Sequence, residues 1–273
     1  MGRNILSDTI ETIRNEKFFS SYYNYYLGIF SMKYKRFDKA IMYLKKSSEG
    51  KLTRSESNYH LSLVYYYKGN YVKSKELLDP LIQQNPNNGK YHFLSGEIYL
   101  KNKNIKDAQN KYKEALDLGY SPEKVFYKLG YCSQELNDFN KALQYYEKSL
   151  RLNQNNPTVL NNMGLCYLKL GQLNKSLECL KIASKISPKD KKILRNLGLT
   201  LAKKNSFDEA VRIFKLLYLN GQRDIDILNN LGYCLLNIGE YNEALDYINL
   251  GLEREPDNEE LLSNKIGCLY KCE

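Results

Sequence analysis

Between Leu160 and Pro188 the chain reads LNNMGLCYLKLGQLNKSLECLKIASKISP, and its apolar residues recur at helical spacing in two runs, broken at Gly171 and closed by Pro188. Each run is long enough for a helix, so the pattern predicts a helix, a turn and a second helix. The same arrangement returns 34 residues later as LRNLGLTLAKKNSFDEAVRIF from Leu194, and again as LNNLGYCLLNIGEYNEALDYI from Leu228. Self-similarity at that period predicts a row of helix pairs, each able to bury its apolar face only against its neighbours. Taking Gly28, Ser62, Gly96, Gly130, Gly164, Gly198 and Gly232 as markers, the period places seven units at 21–54, 55–88, 89–122, 123–156, 157–190, 191–224 and 225–258. Gly267 follows after 35 residues, and the single helix expected over 259–273 would cap the row. Residues 1–20 predict a leading helix, with Asp8 and Glu11 at capping-box spacing, that would cover the first exposed apolar face.

The period assigns each slot a physical task. The glycine row, with Ser62 as its small substitute, lets the two helices of a pair approach closely, and Ala40, Ala108, Ala142, Ala210 and Ala244 do the same from the second helix. Large residues fill what remains: Phe37, Tyr71, Phe139, Phe207 and Tyr241 after the turn, and Tyr112, Tyr146 and Phe214 within the second helix. Gly69, Gly171 and Gly239 stand where the first helix needs a left-handed residue to end, and Pro86, Pro188 and Pro256 punctuate the exit from the second.

A leading L-G-x-x-Y or its variants, then G-x-(F/Y/L)-x-x-A, then an aromatic or leucine, then a small residue and proline resembles the tetratricopeptide repeat, over residues 21 to 270. Leu81, Leu217 and Gly251 depart from its usual late alanine, and Pro80 falls inside an expected helix. The resemblance implies an all-α solenoid, a right-handed superhelix of tandem helix-turn-helix units with a groove lined by the first helices. Its implied work is that of a non-enzymatic scaffold, an adaptor or assembly component holding a peptide or helix of a partner. The family's carboxylate clamp is not matched: Asn162 with Lys192 is the nearest approach, and Asn196 stands where that clamp has arginine.

On that geometry, positions two, five, six, nine, twelve and thirteen of each unit face the groove. In the N-terminal half they include Tyr22, Tyr25, Tyr26, Tyr59, Tyr66, Tyr67, Phe93, Tyr127 and Tyr131, interleaved with Lys33, Lys90, Lys101, Lys124 and Lys128. Residues 1–122 carry 20 Lys and Arg against 12 Asp and Glu, while 123–273 carry 21 against 19, so the basic excess lies where the aromatic excess lies. A basic, tyrosine-rich lining suits an acidic peptide, because tyrosine offers a large apolar body with a polar tip. The competing reading is that the rings pack on one another and the lysines are merely solvated. Further on, the sixth positions become Asn162, Asn196 and Asn230, with Asn161, Asn229 and Asn264 nearby. An amide that donates and accepts at once can hold an extended backbone, or else satisfy its own helix. The alternative class of partner is RNA or single-stranded nucleic acid on the basic aromatic half. Self-association through Tyr270 and the terminal helix is a third expectation.

Composition narrows the rest. Hydrophobic residues at 42% and charged residues at 26% are values of a folded chain, and no apolar run is long enough to cross a membrane. The first residues lack the apolar core of a signal peptide, so a cytoplasmic protein, or a cytosol-facing part of a larger one, is expected. Cys132, Cys166 and Cys234 share one slot of different units, too far apart to bridge, and read as free thiols in a reducing compartment. Cys268 and Cys272 lie one helical turn apart but lack further ligands, so neither a metal site nor a cofactor is expected. No nucleophile, base and orienting residue fall into a catalytic arrangement, and no phosphate-binding glycine loop occurs.

Overall fold

The computed structural model describes residues 19–272. The expected leading helix over 1–20 therefore lies outside the described residues except for its last two positions. The described residues form helices alone: α1 (19–33), α2 (Phe37–Ser48), α3 (Arg54–Tyr67), α4 (Tyr71–Gln84), α5 (Gly89–Lys101), α6 (Ile105–Asp117), α7 (Pro122–Glu135), α8 (Phe139–Leu152), α9 (Pro157–Lys169), α10 (Leu173–Ile186), α11 (Lys191–Lys203), α12 (Phe207–Leu219), α13 (Ile225–Ile238), α14 (Tyr241–Leu252) and α15 (Glu259–Cys272). They fall into two compact bodies, one ending at Leu136 and the other beginning at Asn137, a division inside the expected unit 123–156. Within each body, successive helices pack as neighbours across short turns, as the hydrophobic pattern requires. Helix α4 stays continuous through Pro80. No helix among the described residues is long and apolar enough to cross a membrane.

The turns repeat with the sequence. A positive φ recurs every 34 residues, at Lys35, Gly69, Lys103, Asn137, Gly171, Asn205 and Gly239. Just after α3 the Gly69 N–H donates to the Tyr66 carbonyl and the Asn70 N–H to the Tyr65 carbonyl, and the same two bonds recur at Lys103–Asn104, Gly171–Gln172 and Asn205–Ser206. This is the Schellman closure, in which a left-handed residue lets two following amides satisfy the last carbonyls of the helix. Glycine adopts that conformation without a Cβ clash, whereas Lys35 holds it at φ 56° against one. Lys35→Gly is accordingly expected to raise stability by about 0.5 kcal/mol and Gly171→Ala to lower it by about 1 kcal/mol, both read from urea denaturation. A neutral outcome at both sites would remove the conformational account of these turns.

Five of the helix pairs close on a glycine facing a large residue sixteen positions later. A Cβ on Gly96 would sit 2.7 Å from the Tyr112 ring, and one on Gly164 2.7 Å from Leu180 Cγ; Gly28, Gly198 and Gly232 stand in the same relation to Leu44, Phe214 and Ile248. All five large partners are fully buried, as are Ala40, Ala108, Ala210 and Ala244. Where Ser62 replaces the glycine, its hydroxyl donates to the Ser74 carbonyl (2.7 Å) and Ser74 donates back to the Ser62 carbonyl (2.8 Å), so close approach is kept with every polar group satisfied. The aromatic residues just after the turns, Phe37, Tyr71, Phe139, Phe207 and Tyr241, are only half-buried. Cys132, Cys166, Cys234 and Cys268 are buried and form no disulfide among the described residues. Burial pushes the Cys132, Cys166 and Cys234 thiols up to about 12, so at neutral pH they act as small inert hydrophobes.

Candidate functional site

In the N-terminal body the exposed sides of α3, α5 and α7 bring many of the expected groove residues together. Tyr66, Lys101, Tyr127, Lys128 and Tyr131 line an open cavity of about 730 Å³, joined by Glu97, Leu100, Lys103, Ile105 and Glu135. One wall of this cavity carries a carboxylate on which several neighbours converge. Glu97, 14% exposed, accepts from the Tyr66 hydroxyl (3.1 Å), the Tyr112 hydroxyl and the Lys128 ammonium (2.8 Å), gathering groups from α3, α6 and α7 onto one residue of α5. Burial, reinforced by the charge of Glu97, pushes the Tyr66 and Tyr112 phenols well above their ordinary range. Tyr131 is also raised, by burial and then by the charge of Glu135, to which it donates a hydrogen bond.

A second cluster lies on α1, α3 and α5. Lys90 bonds both oxygens of Glu56 (2.8 and 2.9 Å), with its ammonium 4.8 Å from the Tyr59 ring centre and 5.5 Å from that of Tyr91. Tyr25 packs edge-on against His60, whose other ring neighbour is Tyr59. Burial lowers the His60 pKa, while its Nδ1 lies 2.8 Å from the Glu56 carbonyl. Phe93 packs against Tyr112 and Tyr120. Tyr22 is half-buried, whereas Tyr26 and Tyr67 remain exposed.

The lining is thus less uniformly basic than the count of lysines implies. Lys90 and Lys128 are neutralised by Glu56 and Glu97, whereas Lys33, Lys101 and Lys124 are exposed and form no ion pair among the described residues. Glu97 occupies position nine of its unit, one of the positions expected to face the groove, and Glu56 occupies position two. The register alone marks both as groove-facing carboxylates.

In the C-terminal body the asparagines bond to one another. Asn196 donates to Asn161 (2.8 Å), Asn161 to Asn162 (3.3 Å) and Asn162 to the Tyr146 hydroxyl (3.4 Å), linking α8, α9 and α11. Asn264 of α15 donates to Asn229 of α13 (2.8 Å), and Asn229 to Glu260. Asn230 instead donates to the Asp226 carbonyl of its own helix (2.6 Å). Each amide keeps further donor and acceptor capacity. Asn229, Asn230, Tyr233, Glu260 and Asn264 line a smaller open cavity of about 420 Å³.

Models of the tetratricopeptide repeat match residues 59–121, 157–190 and 225–258, and a further TPR repeat model matches residues 134–171, together more than half of the chain. The chain belongs to the tetratricopeptide-repeat family. No curated protein matches its sequence significantly. Among solved structures it is similar to PilF of Pseudomonas aeruginosa, with 17% identity and a TM-score of 0.67 over 77% of this chain and 95% of that one. PilW, a type IV pilus biogenesis factor, matches with 20% identity and a TM-score of 0.66 over 77% and 97% of the two chains. YrrB, a TPR protein with an unusual peptide-binding site, matches with 21% identity and a TM-score of 0.61 over 69% and 97%. At these identities the likeness establishes the fold. In this tetratricopeptide-repeat chain, α15 leaves Ile266, Leu269 and Tyr270 exposed, the face on which self-association was expected.

Proposed function

We propose that this protein is a non-catalytic interaction scaffold that holds a peptide or helical segment of a partner protein on the first-helix side of its N-terminal body, as an assembly or adaptor component. Its building blocks are the seven 34-residue units between 21 and 258. The observation that carries the reading is the open cavity among Tyr66, Tyr127 and Tyr131, where aromatic bodies surround space large enough for side chains of a ligand. The peptide-binding site named for YrrB and the pilus biogenesis role named for PilW support a protein partner. Internal pairing of Lys90 and Lys128 weakens the case for nucleic acid, which needs several free cations along a phosphate backbone.

Crosslinking in the native cell, followed by identification of the captured proteins, tests the proposal. Tyr131→Ala combined with Leu100→Ala is expected to lose the partner that wild type captures while leaving the helical signal unchanged. An unchanged set of partners would move the site elsewhere.

A further inference from the structure

The groups around the cavity of the N-terminal body divide into those already engaged and those that are not. Both carboxylates are engaged: Glu97 accepts from Tyr66, Tyr112 and Lys128, and Glu135 accepts from Tyr131. Lys128 is engaged by Glu97. Lys101 and Lys103 remain, exposed at the rim and without an ion-pair partner among the described residues, and beside them Leu100 and Ile105 offer half-buried apolar surface. A cationic ligand would find no free carboxylate, and it would face two free ammonium groups.

We infer that this cavity is a subsite for an acidic residue next to a large apolar one in a bound peptide, with the carboxylate met by Lys101 and Lys103 and the apolar side chain lodged against Leu100, Ile105 and the Tyr66 and Tyr131 rings. The inference rests on the groove reading above and adds the chemistry of the ligand. Glu97 has a positioning part in it: by holding Lys128, it leaves the two rim lysines as the cations that meet the ligand. A peptide is favoured over a nucleic acid because two free cations suit one or two side-chain carboxylates, whereas a phosphate backbone presents a charge at every step.

The test uses three short peptides that share their phenylalanines and differ in carrying aspartate, lysine or serine between them, each with a neutral dye, titrated with the full chain and followed by fluorescence anisotropy. The aspartate peptide should bind about tenfold more tightly than the serine one, and the lysine peptide least. Lys101→Glu with Lys103→Glu, shown by circular dichroism to remain helical, should abolish that order, each reversal lowering affinity for the aspartate peptide about threefold to tenfold. Equal binding of the three, tighter binding of the lysine peptide, or a preference that survives the double reversal would overturn the acidic subsite while leaving a peptide groove standing. A single-stranded oligonucleotide that displaces the aspartate peptide and outbinds it would overturn the peptide assignment. Failure of all three peptides to bind would instead overturn the groove reading on which the subsite rests.

Discussion

Replacing Glu97 with alanine should destabilise the N-terminal body by about 2 kcal/mol, within what leaving a buried hydroxyl without its acceptor costs. Three donors converge on this carboxylate, and only Tyr112 lacks an easy alternative, since Tyr66 is half-buried on the open cavity. Lys128 is 24% exposed and can turn to water, but the Tyr112 side chain is fully buried, so its hydroxyl would be left without an acceptor. Glu97→Gln keeps one acceptor oxygen, enough for Tyr112, but puts an amide donor where the second oxygen met Tyr66 and removes the charge, so roughly half the effect is expected. Urea denaturation of the two variants beside wild type checks the order, and a loss below about 1 kcal/mol for alanine would show that water replaces the carboxylate. The pH dependence gives a second readout. Burial and Glu97 raise the Tyr66 and Tyr112 phenols above their ordinary value of 10.0, so the folded chain holds these protons more tightly than the unfolded one. Their contribution is complete below about pH 10 and declines as the pH rises further, and part of that alkaline decline should vanish in Glu97→Ala.

The second large effect is expected where α9 meets α10. Leu180→Ala removes a fully buried side chain and should cost about 3 kcal/mol, within the usual range for a core leucine. Gly164→Ala places a methyl 2.7 Å from Leu180 Cγ and should cost about 2 kcal/mol by forcing the helices apart. The double variant should cost less than the sum by at least about 1 kcal/mol, because the added methyl enters the space that leucine left. A double-mutant cycle in urea decides the matter. Strict additivity would mean that the two residues do not share one packing site.

The same residues show how far the chain can be read without its structure. Small-to-large complementarity was legible because Gly164 and Leu180 belong to rows that recur with the period, and recurrence separates a packing demand from chance. The left-handed turns were legible at Gly69, Gly171 and Gly239, where glycine marks them, and hidden at Lys35 and Lys103, where the hydrogen-bonding geometry imposes the conformation on residues that do not advertise it. The asparagine row was legible as a row. That Asn196 donates to Asn161 depends on the lateral distance between α9 and α11, which no spacing along one helix contains.

The sequence by itself determined the all-α architecture, the period of 34, and the residues that permit each helix pair to close, because these follow from local propensity and from apolar spacing within a single pair. Only the tertiary structure decided which charges of the first-helix rows are free. Glu56 selects Lys90, and Glu97 selects Lys128 and two phenols, across neighbouring helices whose separation and rotation are set by core packing. A lysine neutralised in this way and a lysine left at the rim, such as Lys101, are the same letter in the sequence. They differ in what stands a few ångströms away, and that difference gives the groove its chemistry.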